Sequence, residues 1–159
     1  MNGPRVREGM STIVKTVCGW LKGFILLYGI HIILYGHLTP GGGFAGGVVA
    51  ASAFVLIVLA EGERAGLKTF SRKVASTWDS LGVLVFLLMA TLGLLLAGTF
   101  FVNFLKTPES ARFTLLSSGI IPACNIGIGL KVCSSLYLIF TVLDALRLTS
   151  RPGTKGDAQ

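Results

Sequence analysis

Long apolar runs separated by short polar connections organise this chain. The runs cover about residues 15–36, 42–60, 81–102 and 121–146, each bounded by charge, proline or glycine clusters. A bilayer core of ~30 Å needs about 20 apolar residues per helix, and all four runs meet that length. Strands of a membrane barrel would alternate apolar and polar over about 10 residues, which these runs do not. Backbone groups in lipid must pair within their own segment, so helices are predicted. The expected fold is all-α: a polytopic membrane protein with four transmembrane helices over 15–146. The segments 1–14 and 147–159 are expected to be cytoplasmic tails.

The basic residues set the expected orientation. Arg5, Arg7 and Lys15 precede the first run, and Arg64, Lys68, Arg72 and Lys73 lie between the second and third. Arg147, Arg151 and Lys155 follow the fourth, whereas the connection 37–41 has no Lys or Arg and the one after Val102 has only Lys106 and Arg112. The positive-inside rule then puts both termini in the cytoplasm. The first run is too long for a cleaved leader and lacks a small-residue cleavage site, so it reads as a retained anchor.

Composition agrees with this picture. Of 159 residues, 52% are hydrophobic and 13% charged, about half the charge of a soluble domain. The net charge of +7 sits in clusters between apolar runs and not along one face, which argues against nucleic acid. Cys18, Cys124 and Cys133 form no CxxC and lie in or beside the spans, where a thiol serves as a small apolar residue. No cofactor is expected. Paired carboxylates within a span, a Ser-His-Asp set, a nucleotide motif and a bis-His haem arrangement are all missing from the sequence, so the chain does not read as an enzyme.

The most unusual stretch is GHLTPGGGFAGG, from Gly36 to Gly47. His37, Pro40, Gly41, Gly42, Gly43, Gly46 and Gly47 form the expected helix-packing motif, with Pro40 placed to open the second helix. Gly43, Gly47 and Ala51 are spaced by four, as are Gly42, Gly46 and Ala50, giving that helix a broad smooth face. Lining an ion path is the alternative use of the same face.

This stretch, running straight into an apolar helix, resembles the signature of the MnhB (MrpB) subunit of multisubunit Na+/H+ antiporters, and the resemblance extends over about 15–146. It implies a non-catalytic membrane subunit beside other membrane subunits, in a prokaryotic cell membrane, in a complex that moves Na+ or H+. Antiporter-type subunits are also built into membrane-bound hydrogenases and related respiratory complexes, and the run SSGIIPACNIGIGLKV (117–132) looks more like that version. Stand-alone antiporters more often carry an acid near the place of Asn125, so no titrating carboxylate is implied there. A stand-alone antiporter subunit and a purely structural helix-packing scaffold remain the alternatives.

Six residues are candidates for an ion path: Lys131, His31, Asn125, Ser134, Tyr28 and Tyr35. Lys131 lies about ten residues into the fourth run, near mid-bilayer, where a charge costs about 2.5–3.5 kcal/mol on insertion scales. It shares a helical face with Gly127, Ser134, Ser135 and Leu138. Asp79, Glu61, Glu63 and Asp144 are expected at the cytoplasmic rim and Glu109 in an outer loop, so Lys131 is expected to meet a partner subunit or a hydrated cavity. Tyr28, His31 and Tyr35 fall on one stripe of the first helix, either as a proton-passing chain or as a histidine buried against a neighbouring helix. His31 and His37 point different ways, so they form no expected metal site. Asn125 would bond between helices or help hold a cation.

Overall fold

A computed structural model describes residues 10–105 and 118–149, with the backbone alone at 63–65 and 147–149. The expected tails at 1–9 and 150–159, and Lys106, Glu109 and Arg112, lie outside the described residues. Five helices follow one another: α1 Thr12–Tyr35, α2 Gly43–Glu61, α3 Glu63–Thr69, α4 Arg72–Ala97 and α5 Ile121–Thr149. The described residues contain no strand. Four of the helices (all but the seven-residue α3) are long and apolar enough to cross a membrane.

Helix ends follow local chemistry. After Tyr35 the chain turns through Leu38 and Thr39, whose amides both bond the Tyr35 carbonyl. Pro40 stays in this turn and does not open α2, which begins at Gly43 behind Gly42. Gly42 has φ 114°, a backbone conformation open to glycine and costly for other residues. α4 starts well before the apolar run expected at 81, because the Ser71 hydroxyl caps it by accepting from the Val74 amide at 3.3 Å. Its other end comes at Ala97 and not near 102. Gly98 there adopts the left-handed conformation (φ 71°), with its amide on the Leu94 carbonyl.

The helices pack in the spatial order α1, α2, α5, α4, with α1 also touching α5. Contact partners show α1 and α4 antiparallel to their neighbours and α2 parallel to α5. Thus Gly29 meets Gly46 and Ala50, while Gly43 and Gly47 meet Asn125, Gly129 and Val132 in rising order. One end of the bundle gathers the start of α1, the end of α2, α3 with its exposed Lys68, and the exposed Arg72 and Lys73 of α4. We call this the basic end.

The two small-residue stripes of α2 serve two different helices. A Cβ on Gly46 would lie 2.8 Å from the Gly29 carbonyl oxygen of α1; one on Gly47 would lie 2.9 Å from the Gly129 carbonyl oxygen of α5. Gly82 of α4 approaches α5 equally closely, with the Gly127 carbonyl oxygen 2.6 Å from where its Cβ would sit. Below these crossings an aromatic cluster of Phe54, Phe70 and Tyr137 closes the basic end around Val58 and Ala75. The Tyr137 hydroxyl ties α5 to the loop before α4 by donating to the Phe70 carbonyl at 2.8 Å.

These crossings generate a paired prediction. Gly47→Leu must push α2 from α5 and should destabilise the folded chain by about 1–3 kcal/mol. Gly23→Ala, with nothing within 4 Å of its added carbon, should be neutral or stabilising by up to about 1 kcal/mol from helix propensity. Reversible unfolding in detergent checks both; equal stability of the two variants would contradict the packing described.

Candidate functional site

The charged candidate sits in the seam between α4 and α5. Gly82 and Gly127 bring the two backbones together, and one helical turn from that crossing toward the basic end lie Asp79 on α4 and Lys131 on α5. The Lys131 ammonium donates to Asp79 Oδ2 at 2.6 Å, and the Ser135 hydroxyl donates to Asp79 Oδ1. Lys131 therefore has a partner within its own chain, which corrects the expectation that no acid reaches it. The error came from placing Asp79 at the rim. Ser71 starts α4 nearly three turns before the apolar run, so Asp79 lies about 10 Å inside the helix.

The pair is not sealed. Side-chain exposure is 41% for Lys131 and 25% for Asp79, so one side of the ion pair opens on the flank of the bundle. The expectation of a neighbour or water beside Lys131 is compatible with that opening. Ser134, the next residue, turns the other way: it is fully buried, and its hydroxyl has no hydrogen-bond partner among the described residues.

The other candidates are scattered. His31 stacks on Tyr35 with ring centroids 4.8 Å apart, and both rings, with Tyr28, face outward from α1. A histidine buried against a neighbouring helix of this chain is thus not what forms. Asn125 packs instead at the start of α2, its Oδ1 3.7 Å from where a Gly42 Cβ would sit. Lys131 and Ser135 share one neighbourhood with Asp79, whereas Ser134 faces the interior, and His31 with the two tyrosines, and Asn125, lie apart from it and from each other.

Two residues escaped the sequence reading. Asp79 was visible as an acid but misplaced, and the signal that would have moved it inward is Ser71 as a helix cap. Asn103 carried no signal at all. Its amide bridges the chain end after α4 to the start of α5, donating to the Ser118 carbonyl at 3.0 Å and accepting from the Ile120 amide at 3.2 Å.

Known proteins resemble this arrangement. Residues 13–138 match the profile described as a domain related to the MnhB subunit of Na+/H+ antiporter. An uncharacterised protein of Methanocaldococcus jannaschii is 37% identical over 130 residues, covering 79% of this chain and 49% of its own. A putative antiporter subunit mnhB2 of Staphylococcus saprophyticus is 46% identical over 50 residues, 31% of this chain and 36% of its own. A chain in the structure of the membrane-bound sulfane sulfur reductase, an archaeal respiratory membrane complex, superposes with a TM-score of 0.69 at 29% identity. That match covers 86% of this chain and 62% of the other. The chain thus spans about half or less of the length of these curated relatives. With the match running through α1, α2, α4 and most of α5, the chain belongs to the family of domains related to the MnhB subunit of Na+/H+ antiporters.

Proposed function

We propose that the chain is a non-catalytic membrane subunit of a cation- or proton-translocating complex. In this reading it is the MnhB-like part of a Na+/H+ antiporter module built into a membrane-bound, hydrogenase-like respiratory complex, with its basic end toward the cytoplasm. The observation that carries the reading is the Lys131–Asp79 pair, held by Ser135 and open on one flank. A structural helix has no need of two charges in a span, since either charge alone costs about 2.5–3.5 kcal/mol near the bilayer centre. An ion path has such a need. A carboxylate already engaged by a tethered ammonium is a group that an arriving cation or proton can compete for.

The solved archaeal respiratory complex supports a setting among other membrane subunits. Redox chemistry and metal clusters, where the complex has them, belong in this reading to those other subunits. The staphylococcal relative favours a second reading, a subunit of a stand-alone Na+/H+ antiporter. The glycine crossings favour a third, a scaffold only.

Two measurements separate these readings. In membranes carrying the whole complex, Lys131→Ala and Asp79→Asn should each lower Na+- or H+-coupled activity while the complex still assembles. The double variant should be no worse than either single one, because the two side chains act as a unit. Normal activity in a fully assembled Lys131→Ala complex would leave only the scaffold. Separately, purification through a tag on this chain should recover iron–sulfur or [NiFe]-type subunits together with antiporter-type ones. Recovery of antiporter subunits alone would transfer the proposal to the stand-alone exchanger.

A further inference from the structure

The buried face of α5 changes character along its length. Up to Cys133 the buried positions within the helix are Pro122, Gly127, Gly129 and Cys133. From there to Leu146, every buried position carries a polar group: Ser134, Tyr137, Thr141 and Asp144. The first three are fully buried and Asp144 is 8% exposed. Spacings of three, four and three put these groups on one stripe of the helix, about 15 Å long. It begins at Ser134, next in the chain to Ser135 of the Lys131–Asp79 pair but turned to the interior, and ends toward the basic end.

Packing does not account for the stripe. Tyr137 sits among Val58, Phe54, Phe70 and Ala75, where a phenylalanine would serve without desolvating a hydroxyl. Thr141 satisfies itself on its own helix, donating to the Leu138 carbonyl at 2.9 Å, and Tyr137 donates to the Phe70 carbonyl. The Thr141 oxygen keeps a lone pair for a further donor. Ser134 is different: its buried hydroxyl meets no partner among the described residues. An orphan of this kind costs about 1–3 kcal/mol, and bound water, with about three hydrogen bonds, is the usual remedy.

We propose that this stripe is a hydrated proton path linking the basic end of the bundle to Asp79. It rests on the reading of the chain as part of an ion-translocating complex. A proton taken up at Asp144 passes along bound water and the hydroxyls of Thr141, Tyr137 and Ser134. Each oxygen accepts one proton on a lone pair and releases its own, so none is consumed. Bound water carries the proton from Ser134 to Ser135, whose hydroxyl passes its own proton to the Asp79 carboxylate it already bonds and so releases Lys131 from its ion pair. Protons fit better than Na+ here. The stripe offers roughly one side-chain oxygen per turn, too few at any level to replace a cation's hydration shell.

The test has two parts, both on the whole complex in membranes. Radiolytic labelling makes hydroxyl radicals from water in place, so Tyr137 should be oxidised despite its full burial. Ser134→Ala should reduce that oxidation severalfold. In parallel, Thr141→Val should lower proton-coupled activity severalfold with normal assembly, and Thr141→Ser, which keeps the hydroxyl, should restore it. An unlabelled Tyr137 in the natural protein, or full activity in Thr141→Val, overturns the path. The comparison with Lys131→Ala keeps the two proposals apart. If that variant is impaired and Thr141→Val is not, only the path fails; if neither is impaired, the translocation reading fails with it.

Discussion

Helices in a bilayer gain nothing from hiding apolar surface from one another, because lipid tails are as apolar as leucine. What holds this bundle together is therefore close approach of backbones where side chains are missing. Gly46 and Gly47 are consecutive in sequence and so point about 100° apart on α2. One meets α1 and the other meets α5, which makes α2 an inner member of the row. The same device recurs once more, between Gly82 and Gly127, and brings α4 against α5. This third crossing has a consequence beyond adhesion. It fixes the register of two antiparallel helices so that Asp79 and Lys131, each one turn away, arrive opposite each other.

The ion pair inherits its energetics from that register. Two opposite charges brought together in a span satisfy each other, and Ser135 satisfies a second oxygen of the carboxylate. Even a buried pair seldom adds net stability over well-packed apolar residues, and this one is open on one flank. The pair is therefore poorly explained as glue. The contrast with Lys22 and Glu61 is instructive. Lys22, ten residues into α1, reaches Glu61 at the end of α2 at 3.6 Å, a full ångström longer than the Lys131–Asp79 contact. So open and loose a pair is worth at most about 1 kcal/mol.

What could be read from the sequence, and what could not, follows the range of each interaction. Four spans were legible because length and apolar content are local properties. The stripes Gly42/Gly46/Ala50 and Gly43/Gly47/Ala51 were legible as smooth, but a pattern on one helix does not say that two different neighbours use it. Asp79 was lost because the apolar run starts near Leu81 while the helix starts at Ser71, whose cap outranks hydropathy in setting the helix end. The outward turn of His31 follows from Gly29 and Ile33 facing α2 and α5, a tertiary fact with no local signature. Asn103 acts on residues 15 and 17 positions away, beyond any short motif.

The placement of the polar groups also constrains how the chain could take part in transport. His31, Tyr28 and Tyr35 lie on the outward side of α1, and the Lys131–Asp79 pair opens on the α4–α5 flank, with α2 and the body of α5 packed between. The interior joining the two sides is closed by Ala50, Ala51 and Cys133, all at most 5% exposed, and by the backbone contacts at Gly47 and Gly129. A single path through this chain cannot use both groups. Any ion that reaches Lys131 does so from the flank or along α5, and His31 acts, if it acts, on the opposite edge. In the proposed complex, a row of four helices with polar groups on both edges, closed between them at Ala50, Ala51 and Cys133, is a part placed between neighbours.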